Sequence, residues 1–390
     1  MGEEPDADRT AWDETIVDLL ERAKMAQPDQ LADVINAATR RVGVAITVYL
    51  IDHEQERLWP LPERGKPAPS PLDVEGTPAG RAFTGIRTQS MVDPVTYRLW
   101  VPMVDGSERL GVADVMALHR PADPEMFRRA CETVIGLVGH LVTVKFPYGD
   151  RLHVVRRTRA MTPAGELVLQ MLPPLTFSCH RLVVSAVLEP SYDIGGDAYD
   201  YAVDDHIARM MVLDAMGRGL SAGLTSAAAL AAIRAARRNR ESLVEMARAA
   251  DTALTEQFPD LRFVTGVLAE LDMDAGRLRY LNAGHPPPIL IRDGRVADML
   301  TGGRRMPLGV RDDAAEAEER DLEVGDRLLL YTDGVTEARA RGGDDRFGVD
   351  RLVELTERCM AERLPAPETL RRLARTVIAH QAGRPVDDAT

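Results

Sequence analysis

A chain of 390 residues is long for one domain, and a formal net charge of -13 argues against general binding to nucleic acid or to anionic membranes. Cys131, Cys179 and Cys359 are odd in number and widely spaced, which excludes a disulfide framework and a cysteine metal cluster and fits a reducing cytosol. Met1 to Thr10 lack the basic start and apolar core of a secretory leader, and no apolar run approaches a membrane span, so a cytoplasmic protein is expected.

In chain order, apolar residues recur at helical spacing from Ala11 to Ala38 (Ile16, Leu19, Leu20, then Leu31, Val34, Ile35), with a break at Gln27-Pro28-Asp29. Two helices therefore precede a first strand, in which Val42, Val44, Ile46, Val48 and Leu50 alternate as expected for one buried face. Further strands are expected at Tyr97 to Val104 and Leu110 to Leu118, around an Asp105-Gly106 turn. Phe127, Cys131, Val134, Leu137, Val138, Leu141 and Val144 trace one helical face, open either to packing on its own sheet or to pairing two chains as a homodimer. Thr162 is placed to cap a helix with Pro163 in its first turn, and Pro173-Pro174 ends that helix.

Beyond it a strand is expected at Leu182 to Leu188. Helices follow at Ser221 to Ala236 and Ser242 to Phe258, then strands at Phe263 to Asp272 and Arg277 to Asn282 and a hairpin around Arg292 to Arg295. The last expected elements are a strand at Arg327 to Thr332 and helices at Val349 to Met360 and Pro367 to His380. Blocks of strands and helices, rather than strict alternation, favour an α+β layered architecture.

Four short acidic stretches punctuate this half: Gly195-Gly196-Asp197-Ala198-Tyr199-Asp200, Asp214-Ala215-Met216-Gly217-Arg218-Gly219, Tyr331-Thr332-Asp333-Gly334 and Asp387-Asp388-Ala389-Thr390. Two sit directly after apolar runs, so Asp214 and Asp333 leave a sheet at its rim into glycine-rich turns. Carboxylates gathered there need a cation, and oxygen-only ligands select magnesium or manganese over zinc. Asp-Gly turns alone are ordinary loop chemistry. No cysteine is followed by arginine at the six-residue offset of a phosphate-cradling loop, and no Walker A pattern occurs.

Together, and with Asn282-Ala283-Gly284-His285-Pro286-Pro287 and the run Gly325 to Ala338, these stretches resemble the SpoIIE/RsbU branch of the protein phosphatase 2C superfamily over roughly Leu175 to Thr390. The resemblance implies two antiparallel sheets packed face to face with helices outside, and two Mn2+ or Mg2+ ions at one end. It implies that Asp214 bridges the ions, that Ala215 offers its carbonyl, that Asp333 and Asp387 ligate one ion and that Asp197 serves the other. Asp200, Gly196, Gly334, Asp388, His285 and Arg218 are supporting candidates. His285 is a turn residue more readily than a general acid, while Arg218 replaces a usual histidine and is expected to leave metal ligation alone but to be able to alter phosphate contact. Relatives continue for another strand beyond the position of Thr390, so Asp387 is expected to lack part of its anchoring sheet.

The implied activity is hydrolysis of phosphoserine or phosphothreonine on a STAS-domain anti-sigma-factor antagonist. The alternative is a catalytically silent phosphatase-shaped regulator. Val74 to Phe83, with Trp100-Val101-Pro102-Met103 and Leu110-Gly111-Val112, resembles a GAF domain over about Leu31 to Val144, open to a small-molecule ligand or to none. The expected organisation is an N-terminal helical extension (1–30), a GAF-like sensor (31–146), a helical connector (147–174) and a phosphatase domain (175–390).

Overall fold

The computed structural model describes residues 4–92, 97–189, 192–193, 195–340, 343–382 and 387–390. The chain divides into two compact units, Met1–Arg159 and Ala160–Thr390.

The first unit contains α1 (Glu4–Met25), α2 (Leu31–Thr39), β1 (Val44–Ile51), β2 (Arg57–Pro60), β3 (Leu72–Asp73), α3 (Pro78–Gly85), β4 (Gln89–Val92), β5 (Tyr97–Asp105), β6 (Glu108–Ala117), α4 (Pro124–Lys145) and α5 (Arg151–Val155). Its strands form one antiparallel sheet in the order β3-β2-β1-β6-β5-β4. Val44, Ile46, Val48 and Leu50 join Leu19, Leu31, Ile35, Val134 and Val138 in one core, to which Trp12 and Ala23 of α1 also belong. Tyr49 and Ile51 turn the other way, onto Phe83, Trp100 and Val112. The first strand therefore buries both faces in its second half, where alternation alone implied one. The reason is α3, whose Thr77 cap and Pro78 start it over the second face. Gly80 lets α3 sit down: a Cβ there would lie 1.6 Å from the Val74 carbonyl oxygen.

On α4, Phe127, Cys131, Val134 and Val138 are buried in this unit's core, so these residues of the stripe pack within their own unit, while Val144 is exposed. The segments Pro124–Tyr148 and Gly219–Arg238 are long and apolar enough to cross a membrane by length and composition, although no such run was expected. Both contribute buried residues to cores.

The second unit contains α6 (Pro163–Met171), β7 (Thr176–Ser178), β8 (Val183–Ser185), β9 (Asp197–Asp204), β10 (Ile207–Ala215), α7 (Gly219–Arg238), α8 (Leu243–Gln257), β11 (Val264–Asp272) and β12 (Arg277–Ala283). It continues with β13 (Ile289–Arg292), β14 (Arg295–Met299), β15 (Arg304–Arg305), β16 (Glu318–Asp321), β17 (Arg327–Leu329), α9 (Asp333–Thr336), α10 (Gly348–Ala361) and α11 (Ala366–His380). The main sheet runs β15-β12-β11-β10-β9, with β16 on β12; a second sheet runs β14-β13-β17, and β7 and β8 form a separate ribbon.

Period-two alternation assigns the layers. Met211, Leu213, Leu268 and Leu281 face Leu230, Ile233, Met246 and Leu254 of α7 and α8. Ala269, Leu278 and Tyr280 face Leu290 and Leu300 between the sheets. Ile289 and Ile291 face Leu352, Leu373 and Val377 of α10 and α11. The unit is thus an α-β-β-α sandwich, the α+β architecture expected, although among the described residues its second sheet holds only β14, β13 and β17.

The segment expected as connector, 147–174, is divided by the boundary at Arg159. Its later part packs on the second unit: Tyr199 and Tyr201 hydroxyls donate to the Pro173 and Pro174 carbonyls, and Arg234 donates to Met171. Asp200 pins this corner. It points to the helix side of β9 and pairs with Arg234 at 2.6 Å and Arg237 at 2.7 Å, its side chain 1% exposed. Asp200→Ala should leave two guanidinium groups with a lost partner and cost about 3–5 kcal/mol. Thermal unfolding of the full chain, with and without manganese, checks this; a loss seen only with manganese would make Asp200 part of a metal site instead.

Candidate active site

Asp214 stands directly opposite Asp197 on β9 and Thr265 on β11. Alternation turns all three toward the second sheet, at the end of the strands where β10 leads into α7. A row across β9, β10 and β11 therefore opens at one end of the sandwich. From the other sheet comes the segment after β17. Asp333 does not enter a simple turn, as its Asp-Gly sequence implied, but begins the single-turn helix α9 behind Thr332. Gly334 must be glycine, because a Cβ there would lie 1.7 Å from the Asp388 carbonyl oxygen.

The segment 387–390 runs between these two sides. Ala389 pairs with Glu189 through N–H to O contacts of 3.0 and 2.6 Å, and the Thr332 N–H donates to the Thr390 carbonyl at 3.1 Å. Asp388 Oδ2 accepts from the backbone N–H groups of Gly195, Gly196 and Asp197 at 2.6, 2.7 and 3.1 Å. Such consecutive N–H groups form an anion-binding concavity, here filled by the protein's own carboxylate. Gly196 is further fixed by Ser226, whose hydroxyl donates to its carbonyl, and by Ala215, whose N–H donates to the same oxygen. A Cβ on Gly196 would come within 2.5 Å of the Ala215 carbonyl oxygen.

Asp197 is buried, and its Oδ2 accepts from the hydroxyls of Thr332 at 2.7 Å and Thr390 at 2.8 Å. Burial, then the charges of Asp214 and Asp388, push it well above the usual carboxylate range. Asp214 is half-buried; burial, then Asp333, Asp387 and Asp388, raise it to about 7. Burial, then Glu337 and Asp387, raise Asp333. Asp214, Asp333 and Asp387 thus share one field that a cation would relieve. The donors are all oxygen, which suits a hard dication, so the residue set fits magnesium or manganese. Among the described residues no three His, Cys, Asp or Glu side chains are arranged to enclose an ion. Asp197 is held by its threonines, Asp388 by its backbone nest and Asp387 by Arg218.

Arg218 Nη2 lies 3.3 Å from Asp387 Oδ2, both side chains exposed, so this arginine pairs with a proposed ligand. Asp200 is not brought to the rim, since it lies three positions beyond Asp197 on the opposite face of β9 and holds Arg234 and Arg237. His285 is buried, its Nδ1 is 3.0 Å from Thr265 Oγ1, and its backbone N–H donates to Asn282 Oδ1 at 2.7 Å. Burial, opposed by the Tyr331 backbone, lowers its pKa to about 4. It is neutral at physiological pH and holds the loop, as a turn residue would. Thr265, Thr332, Thr390 and Ser226 went unassigned as site residues. Thr332 and Thr390 stand inside the acidic stretches, and their position there was the available signal.

Residues 204–390 match the SpoIIE family, Stage II sporulation protein E. Phosphoserine phosphatase RsbU of Bacillus subtilis (strain 168) is 22% identical over 253 residues, which cover 62% of this chain and 75% of that protein. Phosphoserine phosphatase RsbP of the same organism is 29% identical over 167 residues, 41% of each chain, so the chain spans well under half of that relative. Among solved structures, the SiaA-PP2C domain of Pseudomonas aeruginosa aligns with 24% identity and a TM-score of 0.45, over 50% of this chain and 78% of that one. The second unit of this chain therefore contains a region, residues 204–390, that is similar to the SpoIIE family.

Proposed function

We propose that the second unit is a magnesium- or manganese-dependent protein serine/threonine phosphatase acting on phosphoserine or phosphothreonine of a regulatory protein. The observation that carries this is the mutual field of Asp214, Asp333 and Asp387 at the open end of the sandwich. The names of the relatives RsbU and RsbP support the substrate class. Within it, a STAS-domain anti-sigma-factor antagonist is the proposed partner. Control by the GAF-like first unit, with or without a small ligand, and a cytoplasmic location complete the reading.

Asp214, Asp333 and Asp387 carboxylates and the Ala215 carbonyl would hold two ions, with Asp197 on the side of the second. When bound, such ions supply activation of water and charge neutralisation at phosphoryl oxygens. The chain's own contribution is preorganisation: Asp388 and Ser226 fix the Gly195–Asp197 backbone, and Thr332 and Thr390 fix the Asp197 carboxylate. Neutral, buried His285 has no proton to give as an imidazolium at neutral pH.

Hydrolysis of p-nitrophenyl phosphate should require manganese or magnesium and vanish on chelation. Asp214→Asn or Asp333→Asn should each lower turnover by about 100-fold or more with the fold retained. A protein that binds manganese without any turnover would favour the catalytically silent regulator instead.

A second outcome follows from charge alone. Asp214 binds its proton more tightly folded (about 7) than unfolded (3.8), so in chelated protein it favours the fold at low pH. That contribution should be lost as pH rises from about 4 to about 7, and Asp214→Asn should flatten the decline. Added manganese should reverse the trend, because it binds the charged carboxylates. Melting temperatures across this pH range, with and without manganese, measure both effects.

A further inference from the structure

Next to the acidic rim lies an apolar surface. Met216, Leu220, Leu224, Leu261 and Met306 are exposed, from 46% at Leu224 to 72% at Leu261. They come from three separate segments that the fold draws together. Met216 follows Asp214 by two positions, and its N–H donates to the Phe263 carbonyl at 3.1 Å. Leu220 and Leu224 are one turn apart on α7 and so share a face. Arg262, next to Leu261, lays its guanidinium on the same turns, donating to Ser221 Oγ at 2.6 Å and Thr225 Oγ1 at 3.1 Å. The loop carrying Met306 closes on the Arg262 backbone, where a Cβ at Gly309 would lie 2.3 Å from the Arg262 carbonyl oxygen. Exposed apolar side chains scattered singly need no explanation, but several on segments that these contacts draw together beside a rim of carboxylates do.

We infer that this surface docks the segment of a phosphorylated protein substrate that flanks the phosphoserine or phosphothreonine, and that it prefers flanks with apolar side chains. The inference rests on the phosphatase reading of the neighbouring rim. Continuity with that rim argues for this occupant: residues 216–220 run from Asp214 straight into the patch, which puts it within reach of the residues flanking a phosphate held at the rim. Charge argues the same way. Arg218, between Met216 and Leu220, has a side chain 63% exposed and offers a cation where a phosphate would arrive, a group that a second copy of this chain does not bring.

The test uses the full chain with manganese and three substrates: p-nitrophenyl phosphate, a phosphoserine peptide flanked by leucine and valine, and the same peptide flanked by serine and glycine. The wild type should favour the apolar-flanked peptide by about fivefold or more in kcat/KM, mostly through KM. Leu220→Ser/Leu224→Ser, and separately Met306→Ser, should remove the preference while p-nitrophenyl phosphate turnover stays within about twofold. Hydrolysis of p-nitrophenyl phosphate with no peptide preference, or with a preference these variants keep, overturns the docking surface and leaves the phosphatase reading intact. No hydrolysis of any of the three defeats the phosphatase reading and the docking surface with it. A dimer by size-exclusion chromatography that the leucine variant dissolves would assign the patch to self-association and overturn the proposal.

Discussion

One oxygen of Asp388 accepts from three consecutive backbone N–H groups that lie 191 to 193 residues earlier in the chain. Those donors would otherwise be buried without a partner, at a cost of the order of 1–3 kcal/mol each. Much of the site's geometry descends from this contact. It sets the Gly195–Asp197 backbone, which presents Asp197 opposite Asp214, and it holds the segment that delivers Asp387 and Thr390 to the rim. Burial first, and then the neighbouring carboxylates, raise the pKa of Asp214 and Asp333, so the rim carboxylates disfavour one another's charge. Hydrogen bonds anchored away from the rim keep them together, so the stored repulsion is available to favour a cation.

The sandwich was legible where burial imposes a period. Strands β10, β11 and β12 and helices α7, α8, α10 and α11 follow apolar patterns that each needs in order to cover a sheet face. It was not legible where a strand lacks that pattern. In β9, Asp197-Ala198-Tyr199-Asp200 reads as a polar loop, yet its carboxylates are satisfied on opposite faces by threonines and arginines. In β16, Glu318 to Asp321 are exposed throughout and meet β12 through backbone pairing and exposed ion pairs, Arg277 with Asp321 and Arg279 with Glu319, with no apolar face to reveal a period. The short β2, β3 and β4 of the first unit are too brief to show a period.

The same division holds for the site. Asp214 and Asp333 were readable because an apolar run delivers each to a sheet end. The separation of Asp197 from Asp200 required knowing that a strand begins at 197, and the meeting of Arg218 with Asp387 joins residues 169 apart. Contacts of that span depend on topology, which no local window contains.

Threading 387–390 between Glu189 and Thr332 also has a kinetic meaning. Closing so long a loop is entropically unfavourable until the sheets that flank it exist, so these contacts belong late in folding. The helices and β10–β12 can collapse on local and hairpin contacts well before the carboxylate rim is complete. The protein is therefore expected to pass through a compact stage in which its core is formed and its chemistry is not, a delay that would appear in refolding as recovery of secondary structure ahead of metal binding.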